Sequence, residues 1–325
     1  MTERTTAILP EETYREEMEN KVLPFLAAGG SSGYFEREPG KKLYYEHYRR
    51  KDGEAPKGCV VVVHGYTEAA EKFRETAYYF LLAGYEVFLF QQQGHGFSWR
   101  AVDDESLVHI GDFHDLVLDL KAFYDEVVDK EGSRPRILFG HSMGGGVSAL
   151  FLEQYPEIFE KAILSSPMLE LNSGGIPPAL AVFAVNVQLL LGKGKAYFFG
   201  GKPFDPADDF EGAQTSCKAR YDYWQERTIA EKAYHTCALS MKTALNFFRL
   251  CAEASAPKNA RKVRAKVLLF QAGGDQMVAP GGQERFIENV PDGKLVRVEG
   301  AKHEIYRERS EILQNYWDEI KKFLT

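Results

Sequence analysis

The stretch Arg136-Ile137-Leu138-Phe139-Gly140-His141-Ser142-Met143-Gly144-Gly145-Gly146-Val147 constrains this chain more than any other. An apolar, β-type run enters Gly-x-Ser-x-Gly directly, and a helical pattern over residues 147–154 follows without a break. That is the strand–turn–helix context of a nucleophile elbow. So tight a turn leaves little room for a Cβ two residues before and two after the serine, and Gly140 and Gly144 stand at those places. Ser142 is then expected in a strained backbone conformation, its hydroxyl pointing out of a sheet edge above a helix N-terminus that favours developing negative charge. The pentapeptide alone arises by chance in roughly one chain in ten of this length at average glycine usage. Partners elsewhere in the chain must decide.

Runs at residues 59–63, 85–90, 136–141, 161–167, 265–271 and 294–298 read as strands. Several are apolar throughout, as strands buried on both faces of a parallel sheet are. Helical patterns at 69–82, 112–128, 147–154, 281–288 and 310–324 alternate with them, which predicts a mostly parallel, doubly wound α/β sheet. Ahead of these, residues 10–26 read as an acidic surface helix, 29–33 as a Gly/Ser loop, 42–50 as an edge strand and 51–57 as its turn. The alternation stops between about 168 and 262, where helical pieces and loops occur without a convincing strand. A helical insertion between two strands of one sheet reads as a lid over the strand ends, where open α/β sheets hold ligands. The expected organisation is an N-terminal extension (1–40), a core (41–167 and 263–325) and a lid (168–262).

A serine hydroxyl is a poor nucleophile until a base takes its proton, and the base needs an acid to fix its tautomer. Asp275 follows the 265–271 strand within Gly273-Gly274-Asp275, and His303 follows the 294–298 strand. The order Ser142, Asp275, His303, each at a strand's carboxyl end, is the order this arrangement requires. A tetrahedral oxyanion needs two backbone N–H donors. Met143, after the nucleophile, is expected to supply one, and Tyr66, after His64-Gly65, the other. His64 reads as a structural histidine packing that loop, and His95 and His141 flank motif glycines without a catalytic pattern of their own.

Composition excludes several classes. The 325 residues are 44% hydrophobic and 27% charged with a net charge of -7, which argues against a nucleic-acid partner because phosphate recognition needs a basic face. The first residues, Met1-Thr2-Glu3-Arg4-Thr5, lead into acidic sequence with no apolar signal-peptide core, and no run of 18 apolar residues occurs. Cys59, Cys217, Cys237 and Cys251 have neither C-x-x-C pairing nor metal spacing, and read as reduced thiols of a cytoplasmic enzyme. Side chains and water complete the expected chemistry, so no metal or organic cofactor is implied.

His64-Gly65-Tyr66-Thr67-Glu68, Gly94-His95-Gly96-Phe97-Ser98, Gly140-His141-Ser142-Met143-Gly144-Gly145, Gly274-Asp275 and His303-Glu304 together resemble the monoacylglycerol lipase and bacterial lysophospholipase branch of the α/β-hydrolases. The resemblance covers about residues 43–324, with the lid matched only loosely. Peptidase, esterase and thioesterase relatives share Gly-His-Ser-Met-Gly-Gly. Three positions depart from the branch: Gln91 stands where an Asp is usual, Tyr66 where a small residue is common, and Lys72 near the place of an arginine. They leave the triad intact and bear on substrate preference. The resemblance also implies a contact from Glu68 to a glycerol-like head group; the plain alternative is a solvated loop carboxylate.

The lid holds what the sequence says about substrate. Residues 176–191 are almost wholly apolar, too short to span a membrane and too hydrophobic for a simple surface helix. Either this run packs onto the core, or its outer face, with Phe183 and the later Phe198, guides an acyl chain and touches lipid aggregates. The reading is a serine carboxylic-ester hydrolase acting on a single-acyl lipid. The alternatives are an esterase or amidase for small soluble substrates, and a non-catalytic ligand-binding member of the fold.

Overall fold

The computed structural model describes residues 8–51, 54–132, 134–207 and 209–325. The expectations placed on residues 1–7 and on the centre of the 51–57 turn lie outside them. Among the described residues one large sheet holds eight strands: β1 (Gly30–Glu36), β2 (Lys42–Tyr48), β3 (Cys59–Val63), β4 (Glu86–Phe90), β5 (Arg136–His141), β6 (Lys161–Ser165), β7 (Lys266–Ala272) and β8 (Gly293–Val298). Their spatial order is β1-β2-β4-β3-β5-β6-β7-β8. All pairs from β4 to β8 are parallel, and β2 runs against both of its neighbours. The helices that matter here are α1 (Arg74–Leu82), α2 (His114–Phe123), α3 (Ser142–Gln154), α4 (Pro178–Leu190), α5 (Lys218–Ala230), α6 (Met241–Ala254), α7 (Pro280–Ile287) and α8 (Ser310–Leu324).

The apolar strands carry a core on each face. Alternate side chains of a strand point to opposite faces, so Val61 and Val63 join Leu138, Val147, Leu150 and Phe286 on one side. Val60 and Val62 join Phe139, Phe80, Trp317 and Ile320 on the other. This is the α/β-hydrolase architecture expected from the sequence, with the helices of residues 168–262 inserted between β6 and β7.

Two expectations near the N-terminus are corrected. Of the Gly/Ser segment 29–33, expected as a loop, Gly29 ends a helix and residues 30–33 open β1, and the pairing to β2 is continuous from Gly30↔Tyr48 to Glu36↔Lys42. β2 is therefore interior rather than the edge. The reason is steric: a Cβ at Gly30 would lie 2.8 Å from the Leu26 carbonyl and 2.9 Å from the Tyr48 ring. Glycine lets the edge strand lie on large neighbours that a residue-by-residue reading does not see. The helical run from Tyr14 to Gly29 is acidic outside, yet it buries Tyr14, Met18, Val22 and Leu26 at four-residue spacing. The lid region also contains a two-residue strand, Ala238–Leu239, parallel to Leu107–Val108. Among the described residues no helix is long and apolar enough to cross a membrane.

One buried charge cluster ties lid, core and N-terminal segment together. Arg220, on lid helix α5, is fully buried, and its guanidinium meets both oxygens of Glu75 on α1 at 2.7 and 3.0 Å. Tyr14 and Tyr79 also donate to Glu75, and Arg220 donates to the Leu9 carbonyl. Removing one partner of such a pair leaves an uncompensated buried charge. Arg220→Met is expected to lower the unfolding free energy by about 3–5 kcal/mol, read as a lower urea midpoint at unchanged m-value. An unmoved midpoint would show that the two tyrosines suffice to hold Glu75.

Candidate active site

The elbow is built by backbone crowding. β5 is buried along its whole length and delivers the chain to Ser142 at φ 51°, in the left-handed region. For a residue with a Cβ that conformation costs roughly 1–2 kcal/mol. Neighbours hold it in place. The Met168 N–H donates to the Ser142 carbonyl at 2.8 Å, and a Cβ at Gly144 would lie 2.2 Å from the Val63 carbonyl oxygen, so α3 starts hard against the end of β3. Ser142 is the first residue of α3, and Met143, the second, is fully buried.

The three residues expected to form the triad meet. His303 Nε2 lies 2.8 Å from Ser142 Oγ, and its Nδ1 lies 2.7 Å from Asp275 Oδ2. The other Asp275 oxygen accepts the Met277 and Val278 N–H groups at 2.8 and 3.0 Å. Burial pushes the Asp275 carboxyl up, but the imidazole hydrogen bond and the two amides outweigh it and hold the group below the usual carboxylate value. An ionised Asp275 keeps the proton on Nδ1, which leaves the Nε2 lone pair facing the serine hydroxyl. Among the described residues no group of three or more His, Cys, Asp or Glu is placed to hold a metal ion.

The loop after β3 lies beside Ser142: a Cβ at Gly65 would sit 2.9 Å from Ser142 Cβ. His64 is buried, donates from Nδ1 to the Gly65 carbonyl at 2.7 Å and accepts the Gln92 N–H on Nε2 at 2.9 Å. Both nitrogens are occupied, and burial lowers its pKa, so it acts as a neutral brace. The Gly65 N–H is taken by Glu68 at 2.6 Å, and Tyr66, expected as an oxyanion donor, is the next residue of the loop. The Tyr66 ring stands edge-on to Phe247 at 5.7 Å and to His95 at 6.1 Å between centroids. His141 is buried and donates from Nδ1 to the Ser165 carbonyl; burial brings its pKa down to about 4, so it is neutral.

Glu68 departs from both readings of the sequence. It is 3% exposed, so it is not the solvated loop carboxylate, and its oxygens are engaged within the protein. Its oxygens accept the Gly65 N–H and the Tyr306 hydroxyl, both at 2.6 Å, with the Lys72 ammonium 3.2 Å away. Tyr306 went unrecognised in the sequence, although its place three residues after His303, on the turn Ile305–Arg307, was a signal that it lies beneath the histidine loop. Phe183 is 65% exposed on the outer face of α4, whereas Phe198 packs with Val185, Met241 and Leu245 beneath it. Only Val185 of α4 is fully buried, while Ile176, Leu180, Leu190 and Leu191 are exposed. The apolar run therefore rests lightly on α6 and turns most of its surface outward.

Comparison with known proteins places this geometry in context. A model of the family described as Serine aminopeptidase, S33 matches residues 54–310. A probable lysophospholipase L2 of Haemophilus influenzae is 26% identical over 307 residues, covering 94% of this chain and 95% of the relative. A monoacylglycerol lipase of Mycolicibacterium smegmatis is 28% identical over 256 residues, covering 78% and 83%. Among solved structures, a soluble variant of the monoglyceride lipase of Saccharomyces cerevisiae, in complex with a substrate analogue, superposes with a TM-score of 0.74. It is 22% identical and covers 91% of this chain and 95% of that one.

Proposed function

Because the chain belongs to the serine aminopeptidase S33 family, in the monoacylglycerol lipase and lysophospholipase branch of the α/β-hydrolases, we propose that it hydrolyses the carboxylic ester of single-acyl lipids through a Ser142 acyl-enzyme. The observation that carries this reading is the unbroken hydrogen-bond chain Asp275–His303–Ser142. His303 takes the proton of Ser142 Oγ as the oxygen attacks the ester carbonyl. Negative charge then grows on the carbonyl oxygen beside the amides of Met143 and Tyr66, each worth roughly 3 kcal/mol to the transition state. His303, now an imidazolium held by Asp275, returns the proton to the leaving alcohol, and a water attacks the acyl-enzyme by the same route in reverse.

The outward apolar face of α4 supports a long acyl chain over a small soluble ester. Binding energy from parts of a substrate remote from the reacting carbonyl raises kcat/KM, and such a face gives an acyl chain that contact. Hydrolysis of a long-chain 1-monoacylglycerol, lysophosphatidylcholine, a short soluble ester and an aminoacyl anilide, compared side by side, tests this. The two lipids are expected to exceed the short ester in kcat/KM by about tenfold or more. Turnover of only the short ester, or of the anilide above all, sinks the lipid assignment.

A further inference from the structure

Glu68 sits at the junction of the two loops on which this reading of the site depends. One oxygen receives the Gly65 N–H, and Gly65 abuts the Ser142 side chain. The other receives the Tyr306 hydroxyl, and Tyr306 belongs to the turn that follows His303-Glu304. Tyr306 is fixed in turn: its ring stacks on Phe73 at 4.4 Å and stands edge-on to His141 at 5.0 Å, with His141 itself 5.0 Å from the His303 ring. Behind Glu68, Lys72 lies 3.2 Å from it and 2.5 Å from Glu304, and Glu304 also holds Arg307 at 2.5 Å. Two carboxylates and two cations thus close on one another in the interior. Burial pushes the Glu68 carboxyl up, but the Lys72 ammonium, with the Tyr306 hydroxyl, holds it below its ordinary value.

We propose that Glu68 is a positioning residue: through the Gly65 amide and the Tyr306 phenol it locks the loop of residues 64–66 and the loop of residues 303–306 into one register, so that oxyanion donor and base are set relative to Ser142 as a unit. The inference rests on the serine-hydrolase reading above. The chemistry asks for a carboxylate. Glu68 meets three donors (an amide, a hydroxyl and an ammonium) within 3.2 Å, with His141 Nε2 farther off at 3.7 Å, whereas a glutamine would turn an NH₂ group against one of those donors. A shift of about 1 Å in a catalytic group costs on the order of 100-fold in rate, so a loose register is a defect in kcat rather than in binding.

The test measures kcat and KM of Glu68→Gln and Tyr306→Phe on a 1-monoacylglycerol and on the p-nitrophenyl ester of the same acyl chain, with Ser142→Ala alongside. For Glu68→Gln, kcat is expected to fall about 30- to 100-fold on both esters with KM moved by less than about threefold. Fluorophosphonate labelling of Ser142 should slow in parallel. Tyr306→Phe, which changes no charge, should lose about three- to tenfold in the same pattern. A head-group contact would instead raise KM for the glycerol ester alone, and that result overturns the proposal, as does a Glu68→Gln kcat close to wild type. If Glu68→Gln does not fold, Tyr306→Phe decides: a matched kcat loss upholds the positioning role and wild-type rates remove it. An inactive Ser142→Ala with unimpaired Glu68 and Tyr306 variants leaves the serine mechanism standing and removes only the clamp; an active Ser142→Ala removes the mechanism itself.

Discussion

Replacing Ser142 with alanine is expected to lower ester turnover by roughly 10⁴–10⁶-fold while the protein stays folded. In the proposed mechanism the hydroxyl is the acyl acceptor, and it is the hydrogen-bond partner of His303 Nε2 at 2.8 Å. Without it, catalysis is left to the oxyanion donors and an unpositioned water. Stability should be nearly unaffected, because alanine meets the same cost as serine at φ 51° and fits the same space. Single-turnover hydrolysis with a thermal melt on the same preparation checks both halves. Fluorophosphonate labelling must vanish with the activity, and turnover within tenfold of wild type excludes Ser142 from the chemistry.

Asp275→Asn should be almost as damaging, by about 10⁴-fold in kcat, and the arrangement of its hydrogen bonds says why. One oxygen of Asp275 accepts two backbone N–H groups, so the oxygen of an asparagine is held there. Its NH₂ must then face His303 Nδ1, where Asp275 now accepts at 2.7 Å. An imidazole opposite a donor carries its proton on Nε2, and that nitrogen can no longer take one from Ser142. The loss should appear in kcat for every ester, with substrate binding little changed. A kcat within tenfold of wild type would show that His303 keeps its tautomer by other means.

Much of this was legible because the constraints were local. The elbow glycines, the apolar run before them and the helix after them are neighbours in sequence, and Asp275 and His303 betray themselves by following strands directly. The misreadings share a different cause. β1 is poor in β-forming residues and is held by Tyr45 and Tyr48 across the pair, so propensity pointed to a loop while tertiary packing decided otherwise. Glu68 read as a loop carboxylate because its decisive partners, Tyr306 and the Lys72–Glu304 pair, close over more than 230 residues of chain. The lid helix α4 is hydrophobic enough to suggest a buried element. How little of it is covered depends on how far α6 sits beneath it, which no window of sequence contains.

The segment 168–262 inserted between β6 and β7 is attached unequally, and that division bears on how such a molecule can change. Its α5 half is riveted to the body by Arg220, which meets Glu75 of the core and Leu9 of the N-terminal segment, while Arg307 reaches the Arg220 carbonyl. Its α4 half rests on a small cluster of Val185, Met241 and Leu245 with Val182, Leu189 and Phe198 packed against it, and on backbone hydrogen bonds such as that from the Phe198 N–H to the Leu239 carbonyl. A buried ion pair anchors the first half, whereas exposed apolar side chains make up much of the second. Substitutions on the exposed face of residues 176–191 are therefore expected to cost less stability than a substitution at Arg220, which paired thermal melts would show. A lineage, or an engineer, could vary that exposed face while the buried ties of the other half stay as they are.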